Sequence, residues 1–295
     1  MKTVGVIGGI GPESTIEYYR FLVAAYRAQN PDGSYPPIII NSINLKAVVD
    51  LLEANDLAGV TDRFVAEIQK LAAAGAECGL LAANTPHIVF DEIRRRSPIA
   101  LVSIVEATRD AAKIQGLKRP VLLGTRFTMQ GEFYPRVFNA AGISLVVPQP
   151  DEQTYIHDKY MGELVKGIIR PETRQRLLAI VDRLREQESI DGVILGGTEL
   201  PLILGGVADR GIPFLDTTRI HVQAIAARAW TSKPGTIAPS TGMRIRAETS
   251  AVTTPDAFVI RTTIPSGPTA VVCARTTVAL SPRARAVSVC SRSVW

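Results

Sequence analysis

With 295 residues, 46% hydrophobic and 21% charged, the chain has the composition of a soluble globular protein of about two domains, and no apolar run reaches the ~18 residues of a membrane span. Its net charge of +5 is confined to the end: residues 231–295 hold eight Lys/Arg against two Asp/Glu and residues 1–230 hold 25 against 26, so the near-neutral body excludes a nucleic-acid-binding role. Three cysteines without CxxC spacing (Cys78, Cys273, Cys290) and three histidines without an HxxxH pair indicate a reducing cytoplasm and argue against a disulfide framework or a metal centre.

The opening MKTVGVIGGIGPES has no signal-peptide layout and reads as a strand entering a glycine-rich turn. From there to residue 230, β-branched runs alternate with longer helical stretches, the pattern of βαβ units on a parallel sheet. The strands are TVGVIG, PIIIN, CGLLAA and IALVS, then PVLLGT, SLVVP, DGVILG and IPFLD. The second four repeat the first, since GLLAANT and GVILGGT start 113 residues apart (79 and 192) and Ser103 and Asp216 stand at the same offset. We read two similar α/β units facing each other across a cleft. Between the strands, VTDRFVAEIQKLAAAGAE and RQRLLAIVDRLREQES carry apolar residues at three-and-four spacing, as helices covering a sheet do. The triple Arg94–Arg96 closes a helix, where cations complement the dipole. Residues 231–295 hold 11 Thr and 8 Ser and no sustained period, although DAFVIRTTI and TAVVCARTTVAL could form a hairpin.

Four loops at strand ends carry the polar chemistry. GGIGPEST is one residue short of a dinucleotide fingerprint, but the next strand ends in Asn41 and Asn44 rather than an acid. Its glycines suit either a small anion such as a carboxylate or plain turn geometry. In LAANTPH, Thr85 can cap a helix with Pro86 in the first position, or the loop can aim its N–H groups into the cleft. GGTELP repeats this grammar with Thr198 and Glu199, and LLGTRFTMQGEFY offers Thr125 and Thr128 as carboxylate ligands or as caps.

GGIGPEST, AANTPH, LLGTRFTM with EFY, and ILGGTELPL, in this order and spacing, resemble the aspartate/glutamate racemase family over nearly all of residues 1–230. The resemblance implies an α/β protein of two pseudo-symmetric Rossmann-like parallel-sheet domains with an inter-domain cleft, followed by an irregular C-terminal tail. The first domain is expected from residues 1–103 and 211–230, the second from 104–210, and the tail from 231–295. It further implies a cytoplasmic homodimer that acts on a small amino acid or dicarboxylate, without pyridoxal phosphate, metal or other cofactor. Asn84, Thr85, Thr125, Thr128 and Thr198 would hold the α-carboxylate and amino group, and Lys166 a side-chain carboxylate.

Members of the family place one cysteine on each jaw, in CNT and GCTE, where one thiolate removes the Cα proton and the opposing thiol delivers another. Here those positions are Ala83 and Gly197, and the position before the first is Ala82. Cys78 stands five residues before Ala83, about 16 Å back along an extended strand. The remaining acid–base candidates are Glu199, whose alternative role is dipole complement at a helix start, and His87, whose alternative is a supporting or capping histidine. Glu13 and Asp216 lie near the same loops, and His157 and His221 read as structural. Three functions fit: an isomerase of the racemase family without the cysteine pair, a lyase or decarboxylase needing one proton donor, and a non-catalytic carboxylate binder. The aperiodic tail gives a first prediction: truncation after Trp230 leaves the melting temperature of the remaining chain unchanged, as read by calorimetry.

Overall fold

The computed structural model of the chain describes residues 1–205, 211–230, 251–254 and 257–260. In chain order these form β1 (Val4–Gly8), α1 (Pro12–Gln29), β2 (Ile38–Ser42), α2 (Leu45–Glu53), α3 (Leu57–Ala73), β3 (Cys78–Leu81), α4 (Phe90–Arg96), β4 (Ala100–Leu101) and α5 (Ile104–Ile114). There follow β5 (Val121–Gly124), α6 (Arg126–Gln130), α7 (Phe133–Asn139), α8 (Pro150–Gly162), α9 (Pro171–Glu188), β6 (Val193–Gly196), α10 (Leu200–Leu204), β7 (Phe214–Asp216) and α11 (Thr217–Trp230). Short 3-10 turns occupy Thr85–Val89 and Leu164–Lys166. Among the described residues no helix is long and apolar enough to cross a membrane.

Residues 1–235 make one compact unit containing two sheets. The first has the order β2-β1-β3-β4, the second β5-β6-β7, and every pairing in both is parallel. The expected strand SLVVP contributes a single parallel bridge, Val146 to Val121 on the outer side of β5, too short to form a ladder. With that bridge counted, the second sheet repeats the order of the first. β7 pairs with β6, which sets residues 214–216 in the second sheet, whereas α11 packs on α1. The chain start is tied to α11 by Lys2 N–H to Ala229 O (3.1 Å) and by Trp230 Nε1–H to Lys2 O (3.1 Å).

Both faces of each sheet are covered, and for that reason β1, β3, β5 and β6 are buried along their whole length instead of alternating. On the first sheet, Phe64 and Ile68 of α3 pack against Ile7 and Leu81, while Tyr18, Leu22 and Ile225 cover Val6 and Leu80 from the other side. Leu177 and Val181 of α9, and Ile104 and Phe138, enclose the second sheet in the same way. In a sheet of this order the strands on either side of the β1/β3 boundary send their connections to opposite faces, leaving a crevice at their carboxyl ends. The β5/β6 boundary makes the corresponding crevice. The four loops singled out in the sequence follow β1, β3, β5 and β6, so all of them lie at these two points.

A second unit, residues 236–295, contains β8 (Ala251–Thr254) antiparallel to β9 (Ala257–Ile260). β9 falls within DAFVIRTTI, whereas TAVVCARTTVAL, Cys273 and Cys290 lie outside the described residues. The fully buried Phe64 gives a test of the first core: Phe64→Ala lowers the unfolding free energy by about 3–5 kcal/mol in urea titrations, because the ring's contacts are lost and a cavity is left.

Candidate active site

Three threonine hydroxyls from both halves of the chain meet at the carboxyl ends of the strands. Thr85 Oγ1 lies 3.0 Å from Thr125 Oγ1 and 3.5 Å from Thr128 Oγ1, and the latter two are 3.2 Å apart. The turn starting at Thr85 has no side-chain cap, so this hydroxyl is spent on the contact with the opposite half and not on local helix chemistry. Thr125 does both: it also accepts the Thr128 N–H as the N-cap of α6 (3.3 Å). Asn84 is fixed in place. Its Oδ1 accepts from Tyr134 Oη (2.6 Å) and its Nδ2 donates to Thr217 Oγ1 (3.2 Å), which in turn donates to Leu195 O (2.8 Å). Tyr134 is the last residue of the LLGTRFTMQGEFY stretch, so its proximity to the site was present in the motif, although its role was not.

Glu199 stands at the start of α10 and is 1% exposed. One carboxylate oxygen, Oε2, accepts from Tyr160 Oη and from Thr198 Oγ1 (3.0 Å). The other, Oε1, lies against Gly11, where a Cβ would run into it. Gly11 has φ of +119° and Gly9 of +77°, so the turn after β1 requires glycine for its backbone as well as for this approach. The open question about GGIGPEST is thereby answered: the turn receives a carboxylate, and it is the protein's own. With Glu199 lodged there, the loop has no room for the phosphate of a dinucleotide. Burial pushes the Glu199 carboxyl up from its ordinary 4.5, against the opposing pull of the Tyr160 and Thr198 hydrogen bonds.

Tyr160, on α8, is the residue that the sequence did not disclose. A Cβ added at Gly197 would come within 2.9 Å of Tyr160 Cζ and 3.0 Å of its Oη, so the phenol fills the space of a side chain at that position. Ala83, Asn84, Thr85, Thr125, Tyr160 and Gly197 border one cavity of about 40 Å³ whose remaining walls are largely apolar, including Ile10, Val48 and Phe127. Nothing local in HDKYMGELVKG marks Tyr160, since its placement depends on α8 packing across the end of β6.

Other expected residues lie elsewhere. His87 does not border this cavity; its Nε2 accepts the Ile104 N–H (3.2 Å) at the start of α5 and its ring stacks on Phe90. Burial, reinforced by His221, holds it well below 6.5, in the neutral form that accepting a hydrogen bond requires. Lys166 is exposed, and Met161 and Val165 face the cavity from the same segment. Asp216 accepts the Arg219 N–H (3.1 Å) at the start of α11, Glu13 is exposed, and neither borders the cavity. His221 is buried between Tyr18 Oη (2.8 Å from Nδ1) and Val102 O (2.9 Å from Nε2), and His157 Nδ1 accepts the Arg126 N–H (3.3 Å). Cys78 begins β3, buried in the core behind the site. A larger hollow of about 540 Å³ lies beyond Thr198, bounded by Gly205 and Ile212 and by neither Ala83 nor Gly197.

Two parallel sheets in repeated order, with polar loops at both crevices, define the α/β fold class of the Asp/Glu racemases. A profile of the Asp/Glu/Hydantoin racemase family matches residues 7–225, and the chain belongs to that family. It is 26% identical over 224 residues to the broad specificity amino-acid racemase RacX of Bacillus subtilis (strain 168), covering 73% of this chain and 92% of the relative. An aspartate racemase homologue from Pyrococcus horikoshii OT3 superposes with a TM-score of 0.67 at 34% identity, covering 77% of this chain and 99% of the other. A Yersinia pestis protein provisionally assigned as an Asp/Glu racemase gives a TM-score of 0.71 at 32% identity, covering 78% and 100%.

The raised Glu199 carboxyl has a signature in stability. A carboxyl held above its ordinary value binds its proton more tightly folded than unfolded, so its contribution is fully present below pH 4.5 and is lost as pH rises through the folded value. Glu199→Gln has no proton to lose. Its stability relative to the parent is therefore expected to rise between about pH 4 and pH 8, compared by urea midpoints at each pH.

Proposed function

We propose that the protein is a cofactor-independent enzyme of the racemase family acting at the α-carbon of aspartate, glutamate or a similar small amino acid, by acid–base groups other than a cysteine pair. The observation that carries this is the small cavity bordered by Thr85 and Thr125 beside Ala83 and Gly197, with Thr128 bonded to both hydroxyls from behind. Hydroxyls at helix starts, with Asn84 fixed beside them, suit a carboxylate and an ammonium group, and an apolar remainder keeps water from a carbanion. Thr198 contributes through Glu199, to which its hydroxyl is bound. Lys166, exposed at the edge, is assigned to the side-chain carboxylate of a dicarboxylic substrate. The names of the relatives support an amino-acid substrate, and RacX supports a broad one. A cytoplasmic homodimer belongs to the same reading.

A second reading, a lyase or decarboxylase on a small dicarboxylate, is favoured by one feature: Tyr160 is the one titratable group among the described residues bordering the cavity, and replacing a lost carboxylate needs only one proton donor. Incubation in D2O with L- and D-aspartate, L- and D-glutamate, and L- and D-alanine, and in parallel with a substituted malonate, separates the readings. Deuterium at the α-carbon of at least one amino acid supports the proposed chemistry. Release of CO2 from a substituted malonate, without α-exchange of any amino acid, moves the assignment to the lyase, and binding of these compounds with neither reaction leaves only a carboxylate-binding role.

A further inference from the structure

We infer that Tyr160, partnered by Glu199, is the acid–base residue of one face of the cavity, and that the opposite face, at Ala83, has none. The inference rests on the α-carbon chemistry proposed above and adds which atom moves the proton and from which side. Its basis is geometric. The phenol occupies the space of a side chain on Gly197, the position the family resemblance assigns to a thiol, and it borders the cavity directly. Ala83, the other position the family resemblance assigns to a thiol, borders the same cavity with a methyl group, and its polar neighbours Asn84 and Thr85 do not ionise in the accessible range. Tyr160 Oη donates to Glu199 Oε2, so a second proton site stands directly behind the first. Burial raises both groups, so each holds its proton more tightly than it would in water.

The proton balance closes within this pair. In the forward step Tyr160 Oη–H breaks and a C–H bond forms at the carbanionic α-carbon, leaving a phenolate. The phenolate takes the proton of the Glu199 carboxyl, and the carboxylate regains one from solvent. In reverse, Glu199 as carboxylate takes the Tyr160 Oη proton along their hydrogen bond, and the phenolate so formed removes the α-proton, leaving the phenol and the carbanion. Because the proton leaves and returns on the same face, the expected product in D2O is an α-deuterated amino acid of unchanged configuration. Inversion would require a donor at Ala83.

The test uses the full chain in D2O with the same six amino acids, reading α-deuterium by mass spectrometry and configuration by chiral chromatography. The parent is expected to deuterate one enantiomer of a pair with its configuration retained. Tyr160→Phe, which removes one oxygen, lowers that rate by at least about 100-fold, the scale of a lost general acid–base group. Glu199→Gln reads the same loss without altering the ring, which covers the case in which the phenylalanine variant does not fold. Ala83→Cys places a proton carrier on the empty face, so inversion appears, and Ala83→Cys with Tyr160→Phe abolishes it; a purely structural Tyr160 would not make that inversion depend on its hydroxyl. Parent-like exchange in a folded Tyr160→Phe variant, or inversion by the parent itself, overturns the assignment and leaves the wider function standing. Absence of exchange by the parent with all six amino acids overturns both.

Discussion

A carboxylate placed in the interior without a cation is the constraint around which the site is built. No ion pair to Glu199 occurs among the described residues, and an uncompensated charge in a low-dielectric interior costs several kcal/mol, so the group must be neutralised or surrounded by donors. Both happen here: burial favours the protonated form, and two hydroxyls supply hydrogen bonds. The requirement then propagates outward. Gly11 has no side chain because Oε1 is there, the turn at Gly9 takes a left-handed backbone to bring Gly11 into place, and Tyr160 is drawn over Gly197 because its hydroxyl is one of the two donors. Two of the four loops at the strand ends, together with α8, are thus held by a single buried side chain.

The same coupling explains why the missing thiols cannot simply be put back. Ala83 to cysteine adds one sulfur atom at the rim of an existing cavity, but any side chain at Gly197 meets the Tyr160 ring, and moving that ring would strip Glu199 of a donor. The two positions have the same role in the family resemblance and are unequal in the fold. One is a small residue beside open space, and the other is a small residue whose space is already taken.

Much of the architecture was legible from sequence because it rests on short-range regularities. Fully apolar runs such as CGLL and VILG can only be strands covered on both faces, and the 113-residue offset between GLLAANT and GVILGGT announced the repeated sheet order. SLVVP failed as a strand because β propensity does not supply a partner with enough length for a ladder; a single bridge at Val146 was all the edge of β5 took up. For the site, the loops and the threonines were visible, since helix starts after parallel strands have a recognisable grammar. What could not be read were contacts made through tertiary packing. His87 turns away to the start of α5, the glycine turn is filled from a loop 188 residues later, and Tyr160 arrives on a helix with no local mark of its destination.

The three clustered threonines carry a consequence of their own. A hydroxyl can rotate to present either its hydrogen or its lone pairs, and none of the three carries a charge. Such a cluster is amphoteric before anything enters it: turned one way it greets an anion, turned the other it greets a cation. A zwitterion needs both within a few ångströms, and a set of rotors already bonded to one another can divide its orientations between the two ends of the guest without importing a counterion.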